Sequence, residues 1–268
     1  MGEQESAVPG FDATIPNMAR MYDYALGGKD NFAADREAVE KLFSLSPENR
    51  DVPRANRRFL SRTVRYVAEQ GIRQFLDLGT GLPSQGHVHE VVGEIAPDAR
   101  VVYVDYDPVV VNHANALLMD SDSVTVVQAD IRDPQGILTH PVVTRLIDFS
   151  QPVAVLFVAV LHGIPDRDDP AGIVHAFAKH VSPGSYLILS HLTSAGHSPE
   201  LVAQKEEIFA RSNAPLSYRG RDEIARMFGG FDLIEPGLTA VTRWRGAELN
   251  RNLDAAGQWW LGGVGRKQ

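Results

Sequence analysis

The sequence of 268 residues predicts an α/β fold with a doubly wound, mostly parallel sheet and an N-terminal helical extension. Three observations support this prediction. Short apolar or β-branched runs alternate with stretches long enough for helices, the first run ends in a glycine turn, and the residues before it have helical spacing. Parallel strands need long crossovers, so this alternation places helices on both faces of the sheet.

The N-terminal part is expected to be helical and to cover the sheet. Residues 1–15 lack apolar periodicity and predict a loose arm, whereas residues 17–45 carry apolar residues at helical spacing, interrupted at Gly27-Gly28. Another helix begins near Pro53 and ends at Gly71. We therefore predict an arm and helical lid over residues 1–70, packed on a main domain of residues 71–268.

Five runs are predicted to form parallel strands, and the tail is different. The five runs are Phe75–Leu78, Val101–Val104, Val124–Val127, Val153–Val160 and Tyr186–Leu189. After them come three further runs, around Phe231–Glu235, Thr239–Trp244 and Trp259–Leu261. Their spacing does not fit the regular alternation of strands and helices. Strands close together in sequence can pair antiparallel, so we expect such pairing at the end of the chain.

Composition excludes several classes of function. The formal net charge of -8 disfavours a general binder of nucleic acid, which needs a basic face. The absence of cysteine excludes disulfides, thiolate metal sites and thiol nucleophiles. No signal peptide is visible, and the longest apolar run, Val153–Leu161, is far shorter than the roughly 20 residues of a membrane helix. We expect a soluble cytoplasmic protein without a membrane partner; the oligomeric state has no signal in the sequence.

The stretch "FLDLGTGLPS" predicts a ligand site at the end of the first strand. Gly79 and Gly81, with Thr80 between them, allow the backbone to approach a ligand, and the helix that follows offers unpaired N–H groups. A purely geometric strand-to-helix turn is an equal alternative. Asp77, inside this stretch, either binds a cationic group of the ligand or hydrogen-bonds the amides of its own turn.

The second predicted strand ends in "VVYVDYDP", which supplies an acid at the expected position. Asp105 follows Gly81 at a spacing close to the roughly 20 residues typical of an acid that binds ribose hydroxyls. Its two carboxylate oxygens suit a vicinal diol. Asp107 is the competing candidate, and it can instead cap the helix that starts at Pro108. We favour Asp105.

The glycine turn favours S-adenosylmethionine (SAM) over a dinucleotide. A dinucleotide fingerprint places a third small residue where this chain has Ser84, and Pro83 removes an N–H that a pyrophosphate could use. A cofactor with adenosine but no pyrophosphate fits better. An NAD-dependent oxidoreductase remains the less favoured alternative.

Several motifs together resemble the class I Rossmann-like SAM-dependent methyltransferases. In chain order they are "FLDLGTGLPS", "VVYVDYDP", "VVQADIRDP", "VLFVAVLHGIPD" and "GSYLILSHLTS". The segments "IPNMARMYDYALGGKDNFAADRE", "GRDEIARMFGGFDLIEPGL" and "GGVGRK" narrow the resemblance to a bacterial S-adenosyl methyltransferase family formerly catalogued as a domain of unknown function. The similarity runs from about Ile15 to Lys267 and implies a seven-stranded sheet.

The resemblance also implies roles for individual residues. Gly79 and Gly81 would face the methionine part of SAM, Asp105 the ribose and Asp130-Ile131 the adenine. Thr80 and Tyr106 are also expected among the cofactor-binding residues. From the residues alone, Asp130 is better explained as a turn or helix-capping acid. Leu161 and His162 would close the pocket beside the methyl group. His162 is the first candidate for a catalytic base, although a histidine there can also be a pocket wall, and nothing in the sequence requires a base.

The segment around "GGKDN" is the candidate lid. Tyr22 and Tyr24 precede the polar turn that contains Gly28, Lys29 and Asn31, and the family motif implies that this turn lines the pocket. On the residues alone, a helix C-cap followed by a new N-cap explains the turn better.

No metal site is predicted. His87 and His89 would point to different faces of a helix, and no third ligand stands nearby. The arginines Arg219, Arg221, Arg226, Arg243 and Arg245 are most simply solvated faces or structural pairs. The expected function is transfer of a methyl group from SAM to a small molecule, and a non-catalytic SAM-binding regulatory module is the alternative.

Overall fold

A computed structural model describes residues 12–83, 86–118, 121–246 and 257–268. Most of the predicted arm, residues 1–11, and Ser84 of the glycine turn lie outside the described residues. The strands are β1 (Gln74–Leu78), β2 (Arg100–Asp105), β3 (Val124–Gln128), β4 (Ala154–Val158), β5 (Tyr186–Leu192), β6 (Asp232–Leu233), β7 (Thr239–Ala240) and β8 (Trp260–Arg266).

The sheet confirms the predicted α/β class. Its strands lie in the order β3-β2-β1-β4-β5-β8-β6, and the first five pair in parallel. β8 runs antiparallel between β5 and β6, as expected for the tail. The seven-residue β8 is long enough to pair on its outer edge with two short strands, β6 and β7. The described sheet thus has the seven strand positions that were predicted, but eight strands, because β6 and β7 both pair with β8 at the last position.

Helices cover both faces of the sheet. They are α1 (Met18–Leu26), α2 (Ala33–Leu45), α3 (Val52–Glu69), α4 (Val88–Gly93), α5 (Pro108–Leu118), α6 (Pro134–Leu138), α7 (Pro141–Leu146), α8 (Pro170–His180), α9 (Pro199–Phe209) and α10 (Arg221–Arg226). Alternate side chains of a strand face opposite sides, so Phe75 packs in one apolar core and Leu76 in the other. No helix in the described ranges is long and apolar enough to cross a lipid bilayer.

The N-terminal helices pack over the first core. α1 begins at Asn17, whose side chain accepts hydrogen bonds from the first-turn amides of Ala19 and Arg20, and it ends at Gly27 in the left-handed conformation (φ +91°). This confirms the predicted break at Gly27-Gly28. The apolar face of α3 is fully buried, with Phe59 in the core and contacts from α3 to β4, β5 and β8.

One buried carboxylate joins α1 to α2. Asp35 is fully buried, and its oxygens accept hydrogen bonds from the Asn17 amide (2.8 Å), the Phe32 amide (2.8 Å) and the Arg20 side chain (2.8 Å). The Arg20–Asp35 ion pair is itself almost inaccessible to solvent. Three chain segments therefore depend on one side chain for the pairing of buried polar groups.

We expect the Asp35→Ala variant to lower the free energy of unfolding by about 3–5 kcal/mol, because it removes the buried carboxylate that pairs with the Arg20 guanidinium and accepts from two backbone amides. Urea unfolding followed by circular dichroism measures the change. Glu37→Ala, an exposed position on the same helix, is the matched control and should change stability by less than about 0.5 kcal/mol. Equal effects of the two variants would contradict the assignment.

Candidate active site

A cavity of ≈ 340 Å³ lies at the carboxyl edge of the parallel strands. The loops after β1, β2, β3 and β4 form its floor, and α1, α3 and residues 213–217 close it from above. The carboxyl edge is where open α/β sheets bind ligands. Ten of the predicted site residues line it: Tyr22, Asp77, Gly79, Thr80, Gly81, Asp105, Tyr106, Asp130, Ile131 and His162.

The glycine turn brings backbone to the cavity. Gly79 and Gly81 have positive φ angles of +75° and +69°, which side chains rarely adopt. The amides of Gly79 and Thr80 both donate to the Val104 carbonyl, at 2.8 and 3.3 Å. A Cβ at Gly79 would collide with the side chain of Val160. The turn is therefore held against β2 and β4 in a form that only glycine permits at position 79.

Asp105 lies at the end of β2 and faces the glycine turn. One carboxylate oxygen accepts a hydrogen bond from the Gly81 amide (2.9 Å), and the other accepts one from the Asp107 amide (3.0 Å). The side chain is 6% exposed. Burial raises the pKa of Asp105 to about 6, against the opposing effect of these two amides. Each oxygen keeps a free lone pair that a ligand hydroxyl could use.

Asp77 borders the same cavity and has no hydrogen-bond partner for its carboxylate among the described residues. It is 8% exposed. Burial raises the pKa of Asp77 to about 7; the Arg57 charge opposes the shift and the Asp105 charge adds to it. The alternative in which Asp77 hydrogen-bonds its own turn finds no support, since Thr80 donates to the backbone carbonyl of Asp77 and not to its side chain.

Arg57 of α3 lines the cavity and was missed by sequence reasoning. Its guanidinium lies over the ring of Tyr22, 5.6 Å from the ring centre, and its Nε is buried without a hydrogen bond. In the described part of the chain it forms no ion pair. The helical pattern of α3 gives no signal that separates Arg57 from the neighbouring Arg54 and Arg58, which are exposed.

Asp130 and Ile131 follow β3 and border the cavity with Arg132. The Arg132 Nε contacts both carboxylate oxygens of Asp130 at 2.9 and 3.0 Å, and this hydrogen bonding lowers the pKa of Asp130. Ile131 is buried and gives the cavity an apolar wall. The acid is thus held ionised beside that wall.

His162 lies in the 3-10 turn after β4 and is 3% exposed. Its Nδ1 is buried without a partner, and no described residue hydrogen-bonds its Nε2. Burial lowers the pKa of His162 well below its usual value, and the charges of His191 and Arg219 lower it further. The ring is neutral at pH 7.

A buried arginine holds the loop that carries His162. Arg219 donates to the carbonyls of Leu161 (3.1 Å) and Ile164 (2.7 Å) and pairs with Asp166 at 2.6 Å. It also donates to His191 Nε2 (2.9 Å), so His191 carries its proton on Nδ1, which donates to the Leu192 carbonyl. Arg219 is therefore a structural residue, and Leu161 supports the loop but does not line the cavity.

The N-terminal helix is fastened across the cavity by asparagines. The Asn17 side chain donates to Asp107 (2.8 Å), and Asn213 accepts from the Met18 amide (2.9 Å) through its side-chain oxygen. Asn213 also donates to the Tyr106 hydroxyl (2.5 Å). Asn17 and Asn213 were not predicted as site residues, because they are polar residues in loops with no motif to distinguish them. Asp107, the competing ribose candidate, accepts a hydrogen bond from the Val109 amide (2.8 Å) at the start of α5.

Four predicted lid residues do not line the cavity. Tyr24 donates to Glu40, and Gly28, Lys29 and Asn31 form the turn after α1. That turn is held by Asp23, which accepts from the Asp30 amide (2.9 Å) and the Asn31 side chain (3.0 Å). Asp23 itself borders the cavity, so the turn reaches the site through this one carboxylate.

No cluster suited to a metal ion occurs in the described ranges. The prediction that His87 and His89 point to different faces is wrong, because His87 precedes α4 as its N-cap. The two rings stack, with centres 5.8 Å apart, and His89 contacts the Tyr103 hydroxyl (2.7 Å).

The comparisons with known proteins show the family to which the chain belongs. The sequence model of the S-adenosyl methyltransferase family matches residues 4–268. The chain belongs to this family. SAM is its cofactor, and the assignment does not favour the regulatory or NAD-dependent alternatives.

Two solved structures are similar over nearly the whole methyltransferase chain. A "putative methyltransferase" from Thermobifida fusca YX is 42% identical, with a TM-score of 0.89 over 97% of this chain and 98% of that one. A DUF574 family protein from Streptomyces avermitilis MA-4680 is 36% identical, with a TM-score of 0.89 over 96% and 99%. These structures confirm the resemblance to a methyltransferase family formerly catalogued as a domain of unknown function.

More distant structures share only the fold. An O-methyltransferase family protein from Burkholderia thailandensis is 15% identical, with a TM-score of 0.53 over 82% of this methyltransferase and 58% of that chain. No curated protein is similar enough to give a match.

We expect Asp77→Asn to stabilise the ligand-free enzyme at neutral pH. The folded-state pKa of about 7 exceeds the ordinary value of 3.8, so the folded protein binds the proton more tightly. Its free energy of unfolding therefore falls as pH rises from about 4 to about 7. The gain from the substitution should grow over this window and level off above it.

Chemical unfolding at a series of pH values measures this gain. Asp122→Asn, an exposed loop position, is the control and should give a difference that does not depend on pH. If Asp77→Asn is less stable than the native protein at pH 8, the carboxylate has a partner that the structure does not contain.

Proposed function

We propose that SAM lies along the carboxyl edge of the sheet, held by Asp105 at its ribose, and that the enzyme methylates a small-molecule acceptor. The observation that carries the proposal is the Asp105 carboxylate, fixed by the Gly81 and Asp107 amides at the tip of β2. Two hydroxyl donors from a ribose would favour its charged form, which burial alone disfavours.

The methionine part of SAM fits a pair of unpartnered charges. An α-amino acid presents an ammonium and a carboxylate, and the cavity presents an acid and an arginine that form no ion pair with each other. We assign the ammonium to Asp77 and the carboxylate to Arg57, with the turn from Gly79 to Gly81 beside them. Hydrogen bonds to charged groups are worth about 1.5–3 kcal/mol, more than neutral ones.

The adenine would lie between the apolar surface of Ile131 and the carboxylate of Asp130. The Asp130 carboxylate already accepts from three N–H donors of Arg132, the backbone amide, Nε and Nη2, and since a carboxylate accepts up to about four hydrogen bonds, one acceptor position is left for the adenine amino group. Tyr106 at the rim would close this end, since its hydroxyl is held by Asn213.

When bound, SAM supplies an electrophilic methyl group on a charged sulfur. The residues of this chain contribute by excluding water and by orienting the two reactants, which can lower a barrier by roughly 7–11 kcal/mol. α1, fastened by Asn17 and Asn213, covers one side of the cavity. His162, neutral and without a partner, can accept a proton or a hydrogen bond from the acceptor, but its lowered pKa makes it a weak base.

A small acceptor is favoured by the size of the cavity and by the net charge. About 340 Å³ lies near the lower end of ligand pockets, roughly 300–1,000 Å³, and SAM must share that space. The net charge of -8 does not attract nucleic acid. The proposal that the enzyme works in the cytoplasm rests on the sequence alone.

We expect Asp105→Asn to weaken binding of S-adenosylhomocysteine at least about 10-fold, since one of the two carboxylate acceptors becomes a donor. Calorimetric titration measures the affinity. Asp98→Asn is the control. Asp98 is an exposed acid just before the start of β2, and its replacement should leave the affinity for S-adenosylhomocysteine unchanged. Undiminished affinity in Asp105→Asn would place the ribose elsewhere.

We expect Arg57→Gln to discriminate between two nucleosides. Its affinity for S-adenosylhomocysteine should fall about 10-fold or more, while its affinity for 5′-methylthioadenosine, which lacks the amino-acid part, should stay the same. Arg58→Gln, the exposed neighbour on α3, should change neither. If both ligands lose affinity equally, Arg57 supports the cavity wall and does not bind the carboxylate.

A further inference from the structure

A second, smaller cavity of ≈ 90 Å³ adjoins the one assigned to SAM. Met18, Tyr22 and His162 line both cavities and form the boundary between them. The smaller cavity extends from this boundary between α1, α2 and the start of β8, under the N-terminal helices. The SAM assignment does not use this smaller cavity.

The walls of the smaller cavity are apolar and uncharged. Aromatic rings from β8 and α2, such as Trp260 and Phe43, face aliphatic residues and the thioethers of Met18 and Met21. No Asp, Glu, Lys or Arg side chain lines it in the described part of the chain. Lys205 is nearby, but its ammonium is held by Asn49 (2.9 Å) and by the ring of Trp259 (3.0 Å to its centre).

Three polar groups in these walls have no hydrogen-bond partner among the described residues, and two of them are fully buried. Trp260 Nε1 is buried without a hydrogen bond, and so is His162 Nδ1; the two rings lie 5.6 Å apart. No described residue hydrogen-bonds the Tyr218 hydroxyl. Both Trp260 and His162 are 3% exposed. Buried polar groups are nearly always paired, so these positions indicate a ligand that brings the missing partner.

We propose that the smaller cavity is the acceptor subsite and that the acceptor is a small, uncharged aromatic molecule carrying a hydroxyl group. This inference rests on the proposed position of SAM. The uncharged walls exclude an ionised acceptor, because a buried charge without a partner costs several kcal/mol. An aromatic ring of the acceptor, placed between Tyr22, Trp260 and His162, would make edge and face contacts with their rings.

The hydroxyl satisfies the unpartnered groups. An indole N–H can only donate, so the ligand must present an acceptor to Trp260. The neutral His162 ring can accept a hydrogen bond from the ligand's own hydroxyl group at the boundary with the larger cavity. A hydroxyl oxygen fulfils both requirements, whereas an ether or an ammonium fulfils only one.

The size limits the acceptor to about one ring. A cavity of about 150 Å³ can hold benzene, so a six-membered ring would fill these ≈ 90 Å³ and part of the boundary with the larger cavity. The ring would then sit in the apolar cavity with its hydroxyl directed toward the side assigned to SAM.

Calorimetric titration of the full-length protein tests the subsite, with phenol and benzoate as the probes. The binding of S-adenosylhomocysteine is measured first, and the saturated protein is then titrated with each probe. We expect phenol to bind with a millimolar or lower dissociation constant and benzoate at least about 10-fold more weakly, because benzoate is ionised at pH 7. Equal binding of both probes, or no binding of phenol, overturns the proposal.

Two cavity-filling variants locate the phenol. Ala25→Leu and Leu42→Phe enlarge side chains that line only the smaller cavity, and each should weaken phenol at least about 10-fold while S-adenosylhomocysteine binds as before. Ala34→Leu on α2 lines neither cavity and is the control. Retained nucleoside affinity shows that a variant is folded. Undiminished phenol binding in both variants places the probe elsewhere and overturns the proposal.

The two proposals fail in different ways. If S-adenosylhomocysteine does not bind, or binds independently of Asp105, the position of SAM is wrong. If it binds as expected but phenol does not, only the acceptor subsite is wrong. Tyr218→Phe gives a further readout: phenol affinity should fall about 2- to 10-fold, and the buried Tyr186→Phe, outside both cavities, should leave it unchanged.

Discussion

The parallel register of β1 with β2 and β4 is the constraint from which the active site follows. Asp77 of β1 pairs with Tyr103 and Leu156, so β1 ends just below the tip of β2. The chain then turns, and the amides of the turn reach the Val104 carbonyl and the Asp105 carboxylate. Without this register, the two acids and the glycine turn would not share one cavity. Both faces of these strands are buried, which fixes the register against slippage.

The same burial that orders the sheet leaves its carboxyl edge poorly satisfied. The pKa values of Asp77 and Asp105 are both raised by removal from water, while Asp35 in the N-terminal helices has three hydrogen-bond donors. Asp35 is thus fully paired within the protein, Asp105 is paired with two backbone amides only, and Asp77 has no hydrogen-bond donor among the described residues. A ligand that pairs with these carboxylates therefore stabilises the folded protein through interactions that the ligand-free protein does not have.

Much of the fold and half of the site follow from local sequence signals. The alternation of apolar runs predicts the parallel strands, and the glycine turn with Asp105 predicts the cavity edge, because these signals lie within single elements. Arg57 is different: it lies on a helix outside the sheet, and its position over the cavity depends on how α3 packs. The turn at Gly28 shows the opposite error. Its glycines and polar residues predicted a segment that lines the pocket, but the turn contacts Asp23 and not the cavity. Tertiary packing decides both cases.

The buried ion pair between α1 and α2 limits how the cavity can open. The Arg20–Asp35 pair is inaccessible to solvent, so α1 cannot swing away from α2 without exposing both charges. The hydrogen bonds of Asn17 and Asn213 to the loops across the cavity are more exposed and can exchange with water. The two helices would therefore separate from the sheet together, as one rigid flap. If SAM and the acceptor bind as proposed, both would enter and leave through this one movement of the two helices.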